Sequence, residues 1–178
     1  MCLTRKVTAY FQRYFSYTEP LYTIIKPNEI KIKRGQVLQR AGEINTKIYL
    51  VKSGLLRSYI IDSKGKEHIF LFASENWIMT DSTSRNLPCK LFIDALEDSE
   101  IKIFEKGNEE KIELQKILNR LEALQNRVIM LMSSTALERY EHFLKTYPEI
   151  VQRVSQRMIA SYLGITPEAL SKVKGRKA

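Results

Sequence analysis

Histidine and cysteine are scarce in this chain of 178 residues, which contains only two of each. The cysteines, Cys2 and Cys89, are too few for a disulfide scaffold or for a four-thiolate iron–sulfur cluster. The histidines, His68 and His142, lie far apart in the sequence, so a metal enzyme or a histidine-dependent hydrolase would lack its usual ligands and bases. We therefore expect a protein that is not an enzyme, with no catalytic residues, no metal site and no cofactor.

Long apolar runs are also missing from the sequence. No stretch approaches the ~18 apolar residues that a membrane span needs. The first residues, MCLTRKVTAYFQRYF, mix charged and aromatic side chains and lack the continuous apolar region of a signal peptide. We therefore expect no membrane partner and a cytoplasmic location.

Positive charge is present in excess, with a formal net charge of +9 at pH 7. Its distribution is uneven, because residues 151–178 contain six basic side chains and one acidic side chain, Glu168. The basic residues are Arg153, Arg157, Lys172, Lys174, Arg176 and Lys177. A localised basic cluster is typical of a protein that binds a polyanion. A solvated tail that keeps the protein soluble is the alternative interpretation.

The middle of the chain, from about Glu29 to Gly107, shows the two-residue alternation of half-buried strands. The clearest segments are EIKIKRG, KIYLVKSG, LLRSYII, KEHIFLF, KLFIDAL and SEIKIFE. The residues Asp62–Ser63–Lys64–Gly65 form a good tight-turn sequence between two of them. Short strands separated by turn residues predict a small antiparallel barrel or sandwich.

Helical patterns flank the strand region on both sides. In residues 1–27 apolar side chains recur at three- and four-residue steps. After Gly107 a heptad seam is formed by Leu114, Ile117, Leu121, Leu124, Val128 and Leu131. A long helix with this seam predicts pairing with a second copy of the chain, although a helix packed on its own β domain is the alternative. Ser133–Ser134–Thr135 are expected to interrupt this helix, and ALERYEHFLKTY to form another that ends before Pro148.

The segment QRMIASYLGITPEALSKVKGRK has the pattern of two short helices joined by a sharp turn. Gly164 stands where the chain must turn, a position that favours a left-handed backbone. Thr166 is a good N-cap and Pro167 a good first residue for the second helix. The outward positions of that helix are polar, namely Glu168, Ser171, Lys172 and Lys174. The pattern predicts a helix-turn-helix whose second helix enters the major groove of DNA; a helical hairpin that only packs is the alternative.

The order of these parts resembles the Crp/Fnr family of bacterial transcription regulators over nearly the whole chain. GEINTKIYLVKSGLLRSYIIDSKGKEHIF and FIDALEDSEIKIF look like the family's β-roll strands, and IASYLGITPEALSKV closely resembles its recognition motif. The resemblance implies an α+β fold: an N-terminal antiparallel, jelly-roll-like β-roll with flanking helices, a long dimerisation helix and a C-terminal helix-turn-helix lacking a full wing. The expected domains are a cyclic-nucleotide-binding-like sensor (1–108), a dimerisation helix (109–135) and a DNA-binding domain (136–178).

The resemblance also implies roles for residues of the second helix. Glu168 would accept a hydrogen bond from a cytosine amino group, and Lys172 would approach a guanine or a phosphate. Lysine lacks the guanidinium fork of the usual arginine, and Ala169 stands where a threonine is usual, so base discrimination and phosphate contacts are expected to be weaker. The predicted DNA-binding residues are Thr166, Pro167, Glu168, Ser171, Lys172, Lys174, Arg157 and Arg176, with Arg153 and Lys177 as further backbone contacts.

A cyclic-nucleotide site like that of the family would need a Gly-Glu pair followed by an arginine that neutralises the cyclic phosphate. The matching segment, ASENWIMTDSTSRNLPCKLFIDAL, has no Gly-Glu pair, and Cys89–Lys90 stand where the arginine and a small residue are expected. We therefore expect that the β-roll does not bind cyclic AMP. The effector, if the protein has one, is not identified by the sequence.

Together these features predict a homodimeric, sequence-specific DNA-binding transcription regulator that reads a palindromic site. Its expected partners are double-stranded DNA and a second copy of itself, with RNA polymerase as a further candidate. Two alternatives belong to other classes. One is a cupin-type β-barrel enzyme, which would need a clustered His/Glu metal site. The other is a ligand-binding or interaction module that kept the β-roll and lost DNA binding.

Overall fold

The structure of the protein, a computed structural model, describes residues 28–81, 84–106, 125 and 127–175. The chain divides into two compact units, and the described residues 28–106 belong to one and 125–175 to the other. The predicted N-terminal helices and the seam residues Leu114, Ile117, Leu121 and Leu124 lie outside the described residues. None of the helices that the structure describes has the length and apolarity needed to cross a membrane.

The described part of the first unit contains eight strands arranged in two four-stranded antiparallel sheets. They are β1 (Asn28–Ile32), β2 (Val37–Gln39), β3 (Lys47–Ser53), β4 (Leu56–Ile61), β5 (Glu67–Ala73), β6 (Ile78–Met79), β7 (Phe92–Ala95) and β8 (Ser99–Glu105). The strand orders are β1-β8-β3-β6 and β2-β7-β4-β5. Each of the six alternating sequence segments overlaps one of these strands, so the predicted antiparallel β-roll is confirmed.

Apolar side chains of the two sheets form the core of this unit, as strand alternation requires. The buried cluster consists of Ile32, Tyr49, Val51, Leu56, Leu71, Ala73, Met79, Ile93, Ala95 and Ile101. Burying one such large apolar side chain stabilises the fold by about 1.5–3 kcal/mol. The core therefore fixes the register of both sheets, because a one-residue slip would turn these side chains outward.

The turn between β3 and β4 depends on Gly54. Its backbone has φ +96°, and a Cβ placed there would lie 2.1 Å from Oγ and 2.8 Å from Cα of Ser99. The Ser99 hydroxyl oxygen accepts a hydrogen bond from the backbone N–H of Leu55 at 3.2 Å. The turn at Gly54 thus lies so close to Ser99, the first residue of β8, that only glycine fits there.

An ion pair is buried on the second sheet between Arg57 of β4 and Asp94 of β7. The guanidinium donates from Nε to Oδ1 at 2.8 Å and from Nη2 to Oδ2 at 2.9 Å, and Nη1 reaches Glu67 at 2.5 Å. It also lies 4.2 Å from the ring centroid of Tyr59. Burial acts to lower the pKa of Arg57, but the hydrogen bonds to Asp94 and Glu67 outweigh it and leave the pKa above its ordinary value. Arg57 therefore stays charged.

The described part of the second unit is helical. Residues 127–133 form the end of one helix, here named the connecting segment. Three helices follow: α1 (Ala136–Thr146), α2 (Gln156–Leu163) and α3 (Pro167–Gly175). The predicted interruption at Ser133–Thr135 is confirmed, because Thr135 begins α1 with a capping box to Glu138. Helices α1, α2 and α3 each pack against the other two.

Candidate nucleic-acid interface

Helix α2 ends in the sharp turn that the sequence predicts. Gly164 has a left-handed backbone with φ 65° and ψ 32°, and its N–H donates to the carbonyls of Ala160 and Ser161. The N–H of Ile165 donates to the carbonyl of Ala160 at 3.0 Å, which closes the pattern typical of a glycine-terminated helix. At the other end, the side chain of Ser155 caps α2 by accepting from the N–H of Met158 at 3.2 Å.

Helix α3 begins at Pro167, three residues after Gly164. The Thr166 hydroxyl oxygen accepts a hydrogen bond from the backbone N–H of Ala169 at 3.2 Å, which confirms the predicted N-cap. The pKa of the neighbouring Glu168 lies below its ordinary value because its own backbone N–H and the Thr166 hydroxyl bind the carboxylate. Glu168 is therefore ionised at neutral pH and presents a hydrogen-bond acceptor at the helix N-terminus, where a negative charge is favoured.

The apolar faces of α2 and α3 hold the two helices together. Ile159, Leu163 and Leu170 are at most 1% exposed, and Val173 is also buried. Ala160 is 1% exposed, so a small residue occupies the interior of this unit. Since these positions face inward, the opposite side of α3 is left to polar residues.

Three aromatic rings join α1 to α2. The centroid of Phe143 lies 5.3 Å from that of Tyr147 and 5.4 Å from that of Tyr162, and the two tyrosine rings meet edge to face at 5.5 Å. Burial raises the pKa of Tyr147 well above its ordinary value, so its hydroxyl stays protonated. Each aromatic pair with this geometry stabilises the fold by about 0.5–1.5 kcal/mol beyond the contribution of its buried area. The helix-turn-helix thus packs against α1 through these rings.

The outer face of α3 carries the side chains that the sequence predicts for DNA contact. Glu168, Ser171 and Lys172 are exposed and follow the three- and four-residue spacing of one helix face. The carboxylate can accept a hydrogen bond from a base amino group, and the hydroxyl and ammonium groups can donate to base edges or phosphates.

The other predicted contact residues are spread over the same unit. Thr166 and Pro167 are exposed at the start of α3, and Lys174 is half-buried near its end. Arg157 is exposed in the first turn of α2, and Arg153 is half-buried in the turn before it. Arg176 and Lys177 lie outside the described residues. The structure thus brings Glu168, Ser171 and Lys172 onto one face and places Arg157 on the neighbouring helix.

In the β-roll, the segment that resembles a nucleotide site is organised around a buried carboxylate. Asp81 is 2% exposed. Its Oδ2 accepts hydrogen bonds from the backbone N–H groups of Lys90 at 2.7 Å and Leu91 at 3.0 Å, and from Nε2 of Gln39 at 3.3 Å. Converging backbone amides of this kind are suited to hold an anion. Here the chain's own carboxylate, that of Asp81, accepts from both amides.

Comparison with known proteins places the fold among transcription regulators. Residues 29–112 match the family model of the cyclic nucleotide-binding domain. The chain is 25% identical over 169 residues to the anaerobic regulatory protein of Aggregatibacter actinomycetemcomitans, with 82% of this chain covered. It is 25% identical over 172 residues to the fumarate and nitrate reduction regulatory protein of Vibrio cholerae, again with 82% covered. The chain spans 65% and 66% of the length of these two relatives.

Solved structures agree with this placement. FixK2 from Bradyrhizobium japonicum superposes with a TM-score of 0.69 at 21% identity, covering 85% of this chain and 84% of that one. A Crp/Fnr-family transcriptional regulator from Thermus thermophilus gives a TM-score of 0.66 at 18% identity, covering 84% of each chain. The chain is Crp/Fnr-like. The predicted resemblance and the predicted α+β architecture of β-roll and helix-turn-helix are therefore confirmed, whereas the predicted domain limits at 108 and 135 stay predictions.

One residue that organises the helix-turn-helix of this Crp/Fnr-like chain was missed by sequence reasoning. Arg139 lies in the first turn of α1, and its guanidinium binds three backbone carbonyls of the same unit. A sequence signal for it does exist. A basic residue near a helix N-terminus is disfavoured by the helix dipole, so its side chain is expected to bind acceptors outside its own helix.

Proposed function

We propose that the protein is a cytoplasmic, sequence-specific DNA-binding transcription regulator and not an enzyme. The observation that carries this proposal is the exposed polar face of α3, with Glu168, Ser171 and Lys172 on a helix that begins three residues after Gly164. In a helix-turn-helix, the second helix lies in the major groove and its N-terminal residues contact base edges. The likeness to Crp/Fnr regulators supports the same function.

In this proposal Glu168 and Lys172 read bases, while Arg157 and Lys174 neutralise phosphates. A carboxylate accepts from the amino group of cytosine, and a lysine donates to guanine O6 or N7. Thr166 and Pro167 form the start of the helix and place its first turn against the DNA backbone. Arg176 would extend the phosphate contacts beyond the end of α3.

We further propose that two copies act together on a palindromic site. Exposed apolar side chains on the connecting segment support this, since Val128 is 53%, Ile129 58% and Met132 81% exposed. A row of apolar side chains at a helix surface is a common feature of protein interfaces. Leu131 is half-buried and continues the heptad seam predicted from Leu114 onward. Two recognition helices would then meet half-sites about one helical turn, ~34 Å, apart.

The β-roll of this regulator is proposed not to respond to cyclic AMP. The support is the carboxylate of Asp81, which occupies the amides of Lys90 and Leu91. Titration calorimetry should therefore give no saturable heat with cyclic AMP. Saturable binding of cyclic AMP would contradict this part of the proposal. RNA polymerase is a candidate partner on the ground of the regulator likeness alone.

A second candidate function is a β-roll interaction module that does not read DNA. It is favoured by one feature, the single ammonium of Lys172 where a guanidinium fork would give stronger base discrimination. The two candidates differ in a simple way. The regulator binds a defined sequence, whereas the module binds no DNA even at low salt.

Selection of duplexes from a randomised library by the purified protein, followed by sequencing, separates these functions. The regulator should enrich a motif with two-fold symmetry, and sedimentation should give the mass of a dimer. The Glu168→Ala/Lys172→Ala double variant is the matched control, because both side chains are exposed and their loss leaves the packing of α3 intact. Enrichment of the same motif by the variant would place specificity elsewhere, and no enrichment by the wild type at low salt would favour the module.

A further inference from the structure

Arg139 occupies an unusual place in the second unit. It is the fourth residue of α1, where the helix dipole disfavours a positive charge, and it is half-buried. Among the described residues it forms no ion pair with a carboxylate. Its charge is directed instead at backbone carbonyl groups.

Three carbonyls accept hydrogen bonds from this one guanidinium. Nε donates to the carbonyl of Ser134 at 3.0 Å, Nη1 donates to that of Leu163 at 3.1 Å, and Nη2 donates to that of Leu131. Leu131 lies in the last turn of the connecting segment, and Leu163 is the last residue of α2. Carbonyls in the last turn of a helix lack intrahelical donors, so a planar cation with several N–H groups satisfies both helix ends at once.

Two further contacts lie at the same junction. The guanidinium of Arg127, in the connecting segment, lies 4.5 Å from the ring centroid of Tyr162 in α2. A Cβ at Gly164 would lie 3.7 Å from Nη1 of Arg139 and 3.8 Å from Cδ2 of Leu131. The turn of the helix-turn-helix therefore lies directly against the end of the connecting segment.

We propose that Arg139 is a positioning residue that locks the connecting segment to the helix-turn-helix. The chain is interrupted at Ser134 and Thr135, and such an interruption would by itself allow the helices on either side to reorient. With Arg139 bridging Leu131 and Leu163, the connecting segment and α2 move as one body, and α3 follows through the Gly164 turn. The consequence for DNA rests on the proposed function that α3 reads DNA. On that basis, Arg139 determines the direction in which each copy presents its recognition helix.

The lock is tested by a distance measurement that does not involve DNA. Spin labels are placed at two exposed positions, Met132→Cys on the connecting segment and Gln156→Cys on α2, in a Cys2→Ser background. Cys89 is only 4% exposed and stays unlabelled. Labelled protein is diluted with unlabelled protein, so that label pairs between copies do not contribute. The lock predicts one narrow distance distribution.

The decisive variant is Arg139→Met, which keeps the length of the side chain and removes all of its donors. It should broaden the distribution, and Arg139→Lys, whose single ammonium cannot span the three carbonyls, should give an intermediate width. Lys145→Met is the matched control, because it removes one positive charge from the same helix at an exposed position. An unchanged distribution in Arg139→Met overturns the lock, and so does a broad distribution in the Cys2→Ser background itself. If Arg139→Met does not fold, as judged by circular dichroism, the width of the Arg139→Lys distribution is compared with that of the Cys2→Ser background. Equal widths then overturn the lock.

A second arm measures the consequence for DNA binding. Arg139→Met should bind the selected palindrome about tenfold more weakly, because the recognition helices are no longer pre-oriented. It should also tolerate half-site spacings that the wild type rejects, an effect that mere loss of folded protein would not produce. A spacing preference identical to that of the wild type overturns the positioning role. If the wild type binds no DNA, the proposed function fails, while the distance measurement still decides the lock.

Discussion

The hydroxyl oxygen of Thr166 lies 3.2 Å from the backbone nitrogen of Ala169 and accepts its hydrogen bond. This contact fixes the first turn of α3, the helix that we propose reads DNA. Thr166→Ala should lower the free energy of unfolding by about 1 kcal/mol, since the amide of Ala169 loses its partner. Thr166→Ser retains a hydroxyl and should stay close to the wild type. Urea denaturation of both variants checks the difference, and equal stability of Thr166→Ala and wild type would contradict the cap.

Arg157 is exposed in the first turn of α2 and is proposed to contact a phosphate. Arg157→Ala should weaken binding to every DNA sequence by a similar factor, because phosphates are common to all of them. The slope of log affinity against log salt concentration should fall in magnitude by about one. Lys145→Ala, on the exposed side of α1, is the control and should leave the slope unchanged. A change of sequence preference in Arg157→Ala would instead indicate a base contact.

Gly54 should not tolerate a side chain. A Cβ would lie 2.8 Å from the backbone Cα of Ser99, which cannot move aside as a flexible side chain could. The positive φ of Gly54 alone costs a non-glycine residue about 1–3 kcal/mol, and the overlap adds to it. Gly35→Ala is a matched control, because Gly35 also has a positive φ and has nothing within 4 Å of its Cβ position. Thermal unfolding should therefore show a larger loss for Gly54→Ala than for Gly35→Ala, and equal losses would exclude the overlap.

His142 should make the stability of the second unit depend on pH. Burial lowers its pKa, and the nearby positive charges of Lys145 and Arg127 lower it further. The folded state therefore binds this proton less readily than the unfolded state, whose histidine has a pKa of about 6.5. The contribution of the neutral His142 to stability is therefore fully present above about pH 6.5, and it is lost as the pH falls below that value. His142→Gln should flatten the dependence between pH 7.5 and 5.5, and an unchanged slope would show that another group is responsible.

The elements that the sequence predicted best are those whose pattern is local. The segment SEIKIFE alternates along a single strand, and the Gly164–Thr166–Pro167 series determines a helix end and a helix start within four residues. The two strands that were missed, Val37–Gln39 and Ile78–Met79, have three residues and two residues. They are too short to display a period. Their pairing depends on partners elsewhere in the chain, which no local pattern reveals.

The interactions that the sequence did not predict connect residues far apart in the chain. Arg57 and Asp94 are separated by 37 positions, and Arg139 and Leu163 by 24. Asp81 lies in the segment compared with a nucleotide site, but its hydrogen bonds to the amides of Lys90 and Leu91 depend on the path of the loop between them. The exposed face of α3 was predictable because helix periodicity separates Leu170 and Val173 from Glu168, Ser171 and Lys172 without any long-range information.

The central claim is that α3 reads DNA sequence. The most direct test is the ratio of affinities for the selected palindrome and for a scrambled duplex of the same composition, measured at fixed salt. For the wild type the ratio should reach about 10³ or more, which is typical of sequence-specific DNA-binding proteins. In Glu168→Ala/Lys172→Ala the affinity for the scrambled duplex should change little while the ratio falls towards one. An unchanged ratio in the double variant, or a ratio near one in the wild type, would contradict the claim.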